Sequence, residues 1–151
     1  MDDLNRLQDW LAPLLSKLNA GERRLLAREV AKRARTSTQQ NMAAQQSPDG
    51  QRWEPRKHRS RDARGNLRQG PMFKKLRLAR HLRTHALSHE AVVEFVGRAA
   101  RIARVHHYGL RDRVSEGGAQ YQYPARELLG LSDEQMGAIT DLILDHLSSF
   151  S

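Results

Sequence analysis

The sequence predicts an α+β fold: an N-terminal helical hairpin or arm, a small antiparallel sheet and a long C-terminal helix. Three observations predict it. Leu4, Leu7, Leu11, Leu14 and Leu18 recur at steps of three and four, the stripe of an amphipathic helix. Ala91-Val92-Val93-Glu94-Phe95-Val96 is β-branched and aromatic and stops at Gly97, as a strand does. Met136, Ile139, Leu142, Ile143 and Leu147 lie on one helical face behind Ser132. At 151 residues one domain with an arm is expected. Residues 1–46 are assigned to the arm and 47–151 to the core.

In chain order, Asp2 and Asp3 open the first helix, where the helix dipole favours acids. Pro13 kinks or divides it. Asn19 begins a second helix, with Glu22 as its capping-box partner. Leu25, Leu26, Val30 and Ala34 form one face of that helix, and Arg and Lys line much of the rest. Thr36 to Gln46 holds only Met42 and alanines to bury, so the pattern leaves helix and fraying both open there. Ser47-Pro48-Asp49-Gly50 is a turn. Trp53 follows as a plug into the local core. From Arg56 to Pro71 there is no apolar period, which reads as a long exposed basic loop.

Met72, Phe73, Leu76, Leu78 and Leu82 restart the core as a short helix and then a strand. Thr84 to Leu87 pairs with Ala91 to Val96 across Ser88-His89-Glu90. Ile102, Val105 and Tyr108 mark a short helix ended by Gly109. Arg111 to Gln120 reads as a polar loop with Gly117-Gly118 at its tip, and Tyr121 to Tyr123 as a further strand. Ser132 caps the last helix, with Gln135 completing the capping box and Asp133 and Glu134 in the first turn.

The charge is uneven. The whole chain carries +9. Residues 51–83 hold twelve Lys or Arg and two acids, Glu54 and Asp62, a balance of +10; residues 130–151 hold four acids and no Lys or Arg, a balance of −4. Such a middle suits phosphate contact or an acidic neighbour. Aromatic residues are only 5%, too few for a base-stacking platform, so a nucleic-acid reading rests on non-specific phosphate contact through residues 52–83.

The chain has no cysteine, which excludes disulfides and thiol chemistry. No apolar run reaches the ~20 residues of a membrane span, and Met1-Asp2-Asp3 lacks the basic start of a signal peptide. A soluble protein of the cytoplasm where it is made is therefore expected. His81, His85 and His89 are spaced by four, but they fall on a strand and a turn, where that spacing separates the rings, and no acid completes a metal set. No nucleophile elbow or phosphate loop occurs. No catalytic residue, metal site or cofactor is therefore assigned, and no enzyme is expected.

Four segments together carry a resemblance. They are Ser47-Pro48-Asp49-Gly50 with Trp53 and Pro55, Met72-Phe73-Lys74-Lys75-Leu76, Ile102-Ala103-Arg104-Val105-His106-His107-Tyr108-Gly109, and Tyr123-Pro124-Ala125-Arg126-Glu127-Leu128-Leu129-Gly130-Leu131-Ser132. In order and spacing the chain resembles the virion morphogenesis, or tail-completion, family of contractile-tailed bacteriophages. His107-Tyr108 departs from the Gln-Phe-like pair expected there but keeps an aromatic before Gly109. The resemblance implies a structural assembly protein of the virion tail without catalysis. It would act at the head-proximal end, as a ring subunit, commonly one of six, in contact with tube or sheath proteins and neck or head-completion proteins.

On that reading Trp53, Tyr108, Pro124, Leu128 and Leu129 are structural anchors. Pro124 and the leucine pair lock an extended segment against the core, and Arg126 fixes it or touches a neighbouring subunit. Arg56, Arg59, Arg61, Arg64 and Arg68 are assembly contacts to tube, partner protein or passing DNA.

Overall fold

The structure is a computed structural model that describes residues 13, 15–55, 71–113 and 117–149. The leucines expected to form the first helix lie mostly outside these residues. Among the described residues the order is α1 (Ala20–Ala43), β1 (Leu82–Ala86), β2 (Ala91–Phe95), α2 (Arg98–Tyr108), β3 (Arg111–Arg113), β4 (Gln120–Gln122) and α3 (Asp133–Ser149). This is the α+β layout that the pattern predicts.

α1 starts at the expected N-cap, Asn19, but the return bond of a capping box comes from its side-chain amide and not from its backbone N–H. The Asn19 side-chain oxygen accepts the Glu22 N–H at 2.8 Å, and the Asn19 amide donates back to the Glu22 carboxylate. Thr36 to Ala43 stays helical because its far end is buried: Ser37, Thr38 and Met42 all lie inside, Met42 at 0% exposure. The helix closes in a Schellman motif. Gln46 N–H reaches Asn41 O at 3.2 Å and Gln45 N–H reaches Met42 O at 3.0 Å, with Gln45 at φ 57°.

β1 and β2 pair antiparallel from Leu82 opposite Phe95 to Ala86 opposite Ala91. β3 and β4 pair antiparallel from Arg111 opposite Gln122 to Arg113 opposite Gln120. The structure therefore holds two two-stranded sheets where the sequence predicts one, and the ends of the expected polar loop are strands. Arg-Asp-Arg carries no apolar alternation, so periodicity could not mark β3, whereas β4 begins one residue before the strand expected at Tyr121 to Tyr123.

Residues 72–81 also differ from expectation. They form successive turns, with Leu76 N–H to Phe73 O at 3.1 Å and His81 N–H to Leu78 O at 2.9 Å. Phe73 sits at φ 60°, which no α-helix accommodates.

Two apolar clusters form the interior. The larger gathers Met42, Trp53, Met72, Leu76, Leu82, Phe95, Ala99, Ala103 and Leu128. The smaller gathers Leu18, Leu26, Ile139 and Ile143, with Leu131, Leu142 and Leu147 packed against it. α1 contributes to both, Leu26 near one end and Met42 near the other. Leu25, expected on its buried face, is exposed instead, because the apolar stripe of α1 is one residue wide at that turn.

Candidate functional site: a braced strap and the groove beside it

Residues 123–132 join β4 to α3 without regular secondary structure. Extended backbone without a ladder must find other partners for its polar groups. Here nearly every turn of chain around it supplies one. Tyr123 N–H donates to Leu110 O at 3.1 Å, and Arg126 N–H to His106 O at 2.7 Å. Leu128 N–H donates to His107 Nδ1 at 3.1 Å, with Leu129 N–H more distant at 3.4 Å. Glu127 O accepts the indole N–H of Trp53 at 3.2 Å.

Arg126 is only 5% exposed. Its Nε donates to Glu54 O at 2.8 Å, and its Nη2 reaches Pro55 O at 3.4 Å. A buried guanidinium is costly unless its donors are satisfied. Main-chain carbonyls of residues 54 and 55 help satisfy it. Arg126 thus ties the strap to the segment after Trp53 within one chain.

Two close approaches seat the strap. A Cβ at Gly109 would stand 2.8 Å from Ala125 N, and Gly109 has φ 65° at the end of α2. At Gly130, φ 142°, a Cβ would stand 2.7 Å from Cγ of Pro48. Neither position has room for a side chain, and both backbone conformations favour glycine. The buried Pro48 belongs to the expected turn, which closes with Gly50 N–H to Ser47 O at 2.9 Å.

A row of rings runs under the strap in edge-on contacts. Centroid distances are 5.4 Å for Trp53–Phe73, 4.6 Å for Phe73–His106, 4.6 Å for His106–Tyr123 and 5.0 Å for Tyr121–Tyr123. Edge-to-face pairs add to burial through the ring quadrupole. Burial, and secondly the negative charge of Asp112, push the Tyr123 phenol above its ordinary value. Asp112 is itself held below the ordinary carboxylate range by the Arg113 N–H and the Arg101 guanidinium, the latter at 2.8 Å.

The structure distributes the sequence-predicted anchors unevenly. Trp53 and Leu128 are buried, and Pro124 is half-buried. Leu129 is 36% exposed and Tyr108 is 66% exposed, its ring meeting His107 at 4.7 Å. Within this chain neither plugs a core: the strap turns its alternate side chains outward, and Tyr108 lies on the open side of α2. Arg56, Arg59, Arg61, Arg64 and Arg68 lie outside the described residues, as does most of the basic loop.

Sequence reasoning missed two residues. His107 is half-buried and turns its Nδ1 lone pair to the strap. Gln45 spans from α1 to the turns at Met72: its Nε2 donates to Met42 O at 2.8 Å and Met72 O at 3.0 Å, while its Oε1 accepts Met72 N–H at 2.7 Å. Gln45 falls in the stretch from Thr36 to Gln46 that the pattern leaves open, so no local signal marked it.

Beside the strap lies an open groove of about 460 Å³. Phe95, Ala103 and Leu128 form its floor, and Tyr108, Leu129 and Arg104 stand at its edge. Among the described residues no three His, Asp or Glu side chains converge on a metal position, and no helix is long and apolar enough to cross a membrane.

A cross-braced strap beside an open apolar groove marks a small α+β protein. The chain belongs to the phage virion morphogenesis family, whose model matches residues 2–148. It is 38% identical over 149 residues to the tail completion protein S of Escherichia phage P2, across 97% of this chain and 99% of that protein. No solved structure matches the chain.

Proposed function

We propose that this protein is a structural component of phage tail assembly that completes the tail at its head-proximal end and supports head–tail joining as a ring subunit. The observation that carries the reading is end-to-end similarity to a tail completion protein, 97% of one chain against 99% of the other. The site supports the same reading. Its buried polar groups engage main chain, as in the Arg126 bonds to residues 54 and 55, which fixes shape. Its exposed groups are apolar or charged, as contacts between proteins require.

The partners on this reading are other copies of the chain, tail tube or sheath proteins, and neck or head-completion proteins. The protein resides in the virion tail and reaches it from the host cytoplasm. The arm at 1–46, the core at 47–151 and the basic loop at 56–71 are the proposed working divisions. Arg56, Arg59, Arg61, Arg64 and Arg68 are the proposed loop contacts.

Negative-stain electron microscopy of lysates from the parent phage or prophage with this gene disrupted tests the function. Filled heads beside unjoined or wrong-length tails are the expected result. Normal joined particles would overturn it.

A further inference from the structure

We infer that the groove between α2 and the strap receives the outward face of α3 from a second copy of this chain, so that copies join head to tail. The inference rests on the assembly role proposed above and names the surfaces that make it.

The groove has an apolar floor, with Arg104 on one rim and Glu94 on the other. Phe95, Ala103 and Leu128 face it from a buried position, and nothing among the described residues fills it. α2 carries Arg98, Arg101 and Arg104 and no acid. Arg101 is engaged by Asp112 at 2.8 Å. Arg98 and Arg104 take part in none of the ion pairs among the described residues. Two exposed apolar side chains, Tyr108 and Leu129, stand at the lip.

α3 offers the complement. Glu134, Gly137, Asp141, Leu144, Asp145 and Ser148 are all exposed, and their spacing places them along one side of the helix. That side is acidic, and Leu144 in the middle of it is 37% exposed. Gly137 has no atom within 4 Å of where its Cβ would be, so another backbone can approach closely there. A leucine flanked by Asp141 and Asp145 matches an apolar floor with Arg104 at its edge. Glu94 lines the groove opposite; it repels an acidic helix and confines docking to the side of Arg104 and Tyr108. Complementary charge of this kind fixes register and partner choice more than raw affinity. Because donor and receiver surfaces differ, the contact is heterologous and propagates into a ring or an open helix.

The chain has no cysteine, so engineered thiols report this contact alone. A gene encoding Leu129→Cys with Leu144→Cys is supplied to cells assembling gene-disrupted particles, and their lysates are oxidised. The expected product is a ladder of dimers, trimers and longer species, whereas either single-cysteine variant stops at dimer. Arg104→Glu lowers the ladder at least tenfold, and adding Asp141→Arg with Asp145→Arg restores it. The variants lie on exposed positions, and particle formation by the double-cysteine gene shows that it folds. Normal particles without a ladder would overturn the inference while leaving the tail role intact. A ladder insensitive to charge reversal would overturn it too, as would reversal that stops particle formation without changing the ladder, which would assign the groove to another protein. Normal particles from the disrupted gene alone would instead remove the tail role.

Discussion

At the scale of single residues, the polar groups that hold the strap were the least visible and are the most consequential. His107 accepts a backbone N–H from Leu128, which requires an unprotonated Nδ1. His107→Ala leaves the Leu128 N–H beside the core without that acceptor and is expected to cost about 1–3 kcal/mol of stability. His107→Gln keeps a side-chain oxygen and should recover at least half of the loss, measured by urea unfolding. Gln45 poses a sharper contest. Its φ of 57° costs about 1 kcal/mol or more for a residue with a Cβ, a cost that glycine would avoid. Its side chain makes three hydrogen bonds to Met42 and Met72, each worth about 0.5–1.5 kcal/mol. The bonds outweigh the strain, so Gln45→Gly is expected to destabilise by about 1–3 kcal/mol. A stabilised variant in the same unfolding assay would show that backbone strain dominates.

At the scale of elements, helix starts follow local rules and strands do not. α3 begins with Ser132 Oγ accepting Gln135 N–H at 3.1 Å and Gln135 Oε1 accepting Ser132 N–H at 3.0 Å. That same Gln135 also donates to Asn41 at 2.7 Å, so one residue both starts α3 and docks it on α1. Inside α3, Gly137 is exposed with open space around it. Gly137→Ala is expected to stabilise the isolated protein by about 0.5–1 kcal/mol, through helix propensity. If the α3 face docks into a neighbour, the same change weakens assembly, and thermal unfolding beside the cross-linking ladder separates the two effects. The strands depend instead on pairing partners. Leu82 to Ala86 holds three polar residues in a row, Arg83, Thr84 and His85, and finds its place opposite Ala91 to Phe95. β3 has three residues and no apolar face to announce it.

At the scale of the whole molecule, α1 is the shared beam. It reaches the smaller cluster through Leu26 and the larger through Met42, residues about 24 Å apart along a helix rising 1.5 Å per residue. A rigid helix common to both clusters couples their unfolding. Met42→Ala and Ile139→Ala remove side chains from different clusters, and each is expected to cost about 2–5 kcal/mol. Both should lower one shared thermal midpoint, followed by circular dichroism. Two separated transitions would show that the clusters melt independently. The charge distribution also belongs to this scale. The −4 of residues 130–151 becomes a surface only because Ile139 and Ile143 bury the other side of α3.

The sequence by itself determined the α+β class, the N-caps of α1 and α3, the turn at Ser47 to Gly50, the β1–β2 hairpin and the family. These are set by neighbours three or four residues apart, or by short runs of residue type, and such signals survive without any knowledge of the fold. The tertiary structure alone decided that the strap is braced by Arg126, His107 and Trp53. It also decided that Leu128 is buried while Leu129 is exposed, and that Tyr108 stands at a groove. Those outcomes depend on partners between 21 and 74 residues away. In extended chain successive side chains take opposite sides, so identical leucines become core or surface according to what folds against them.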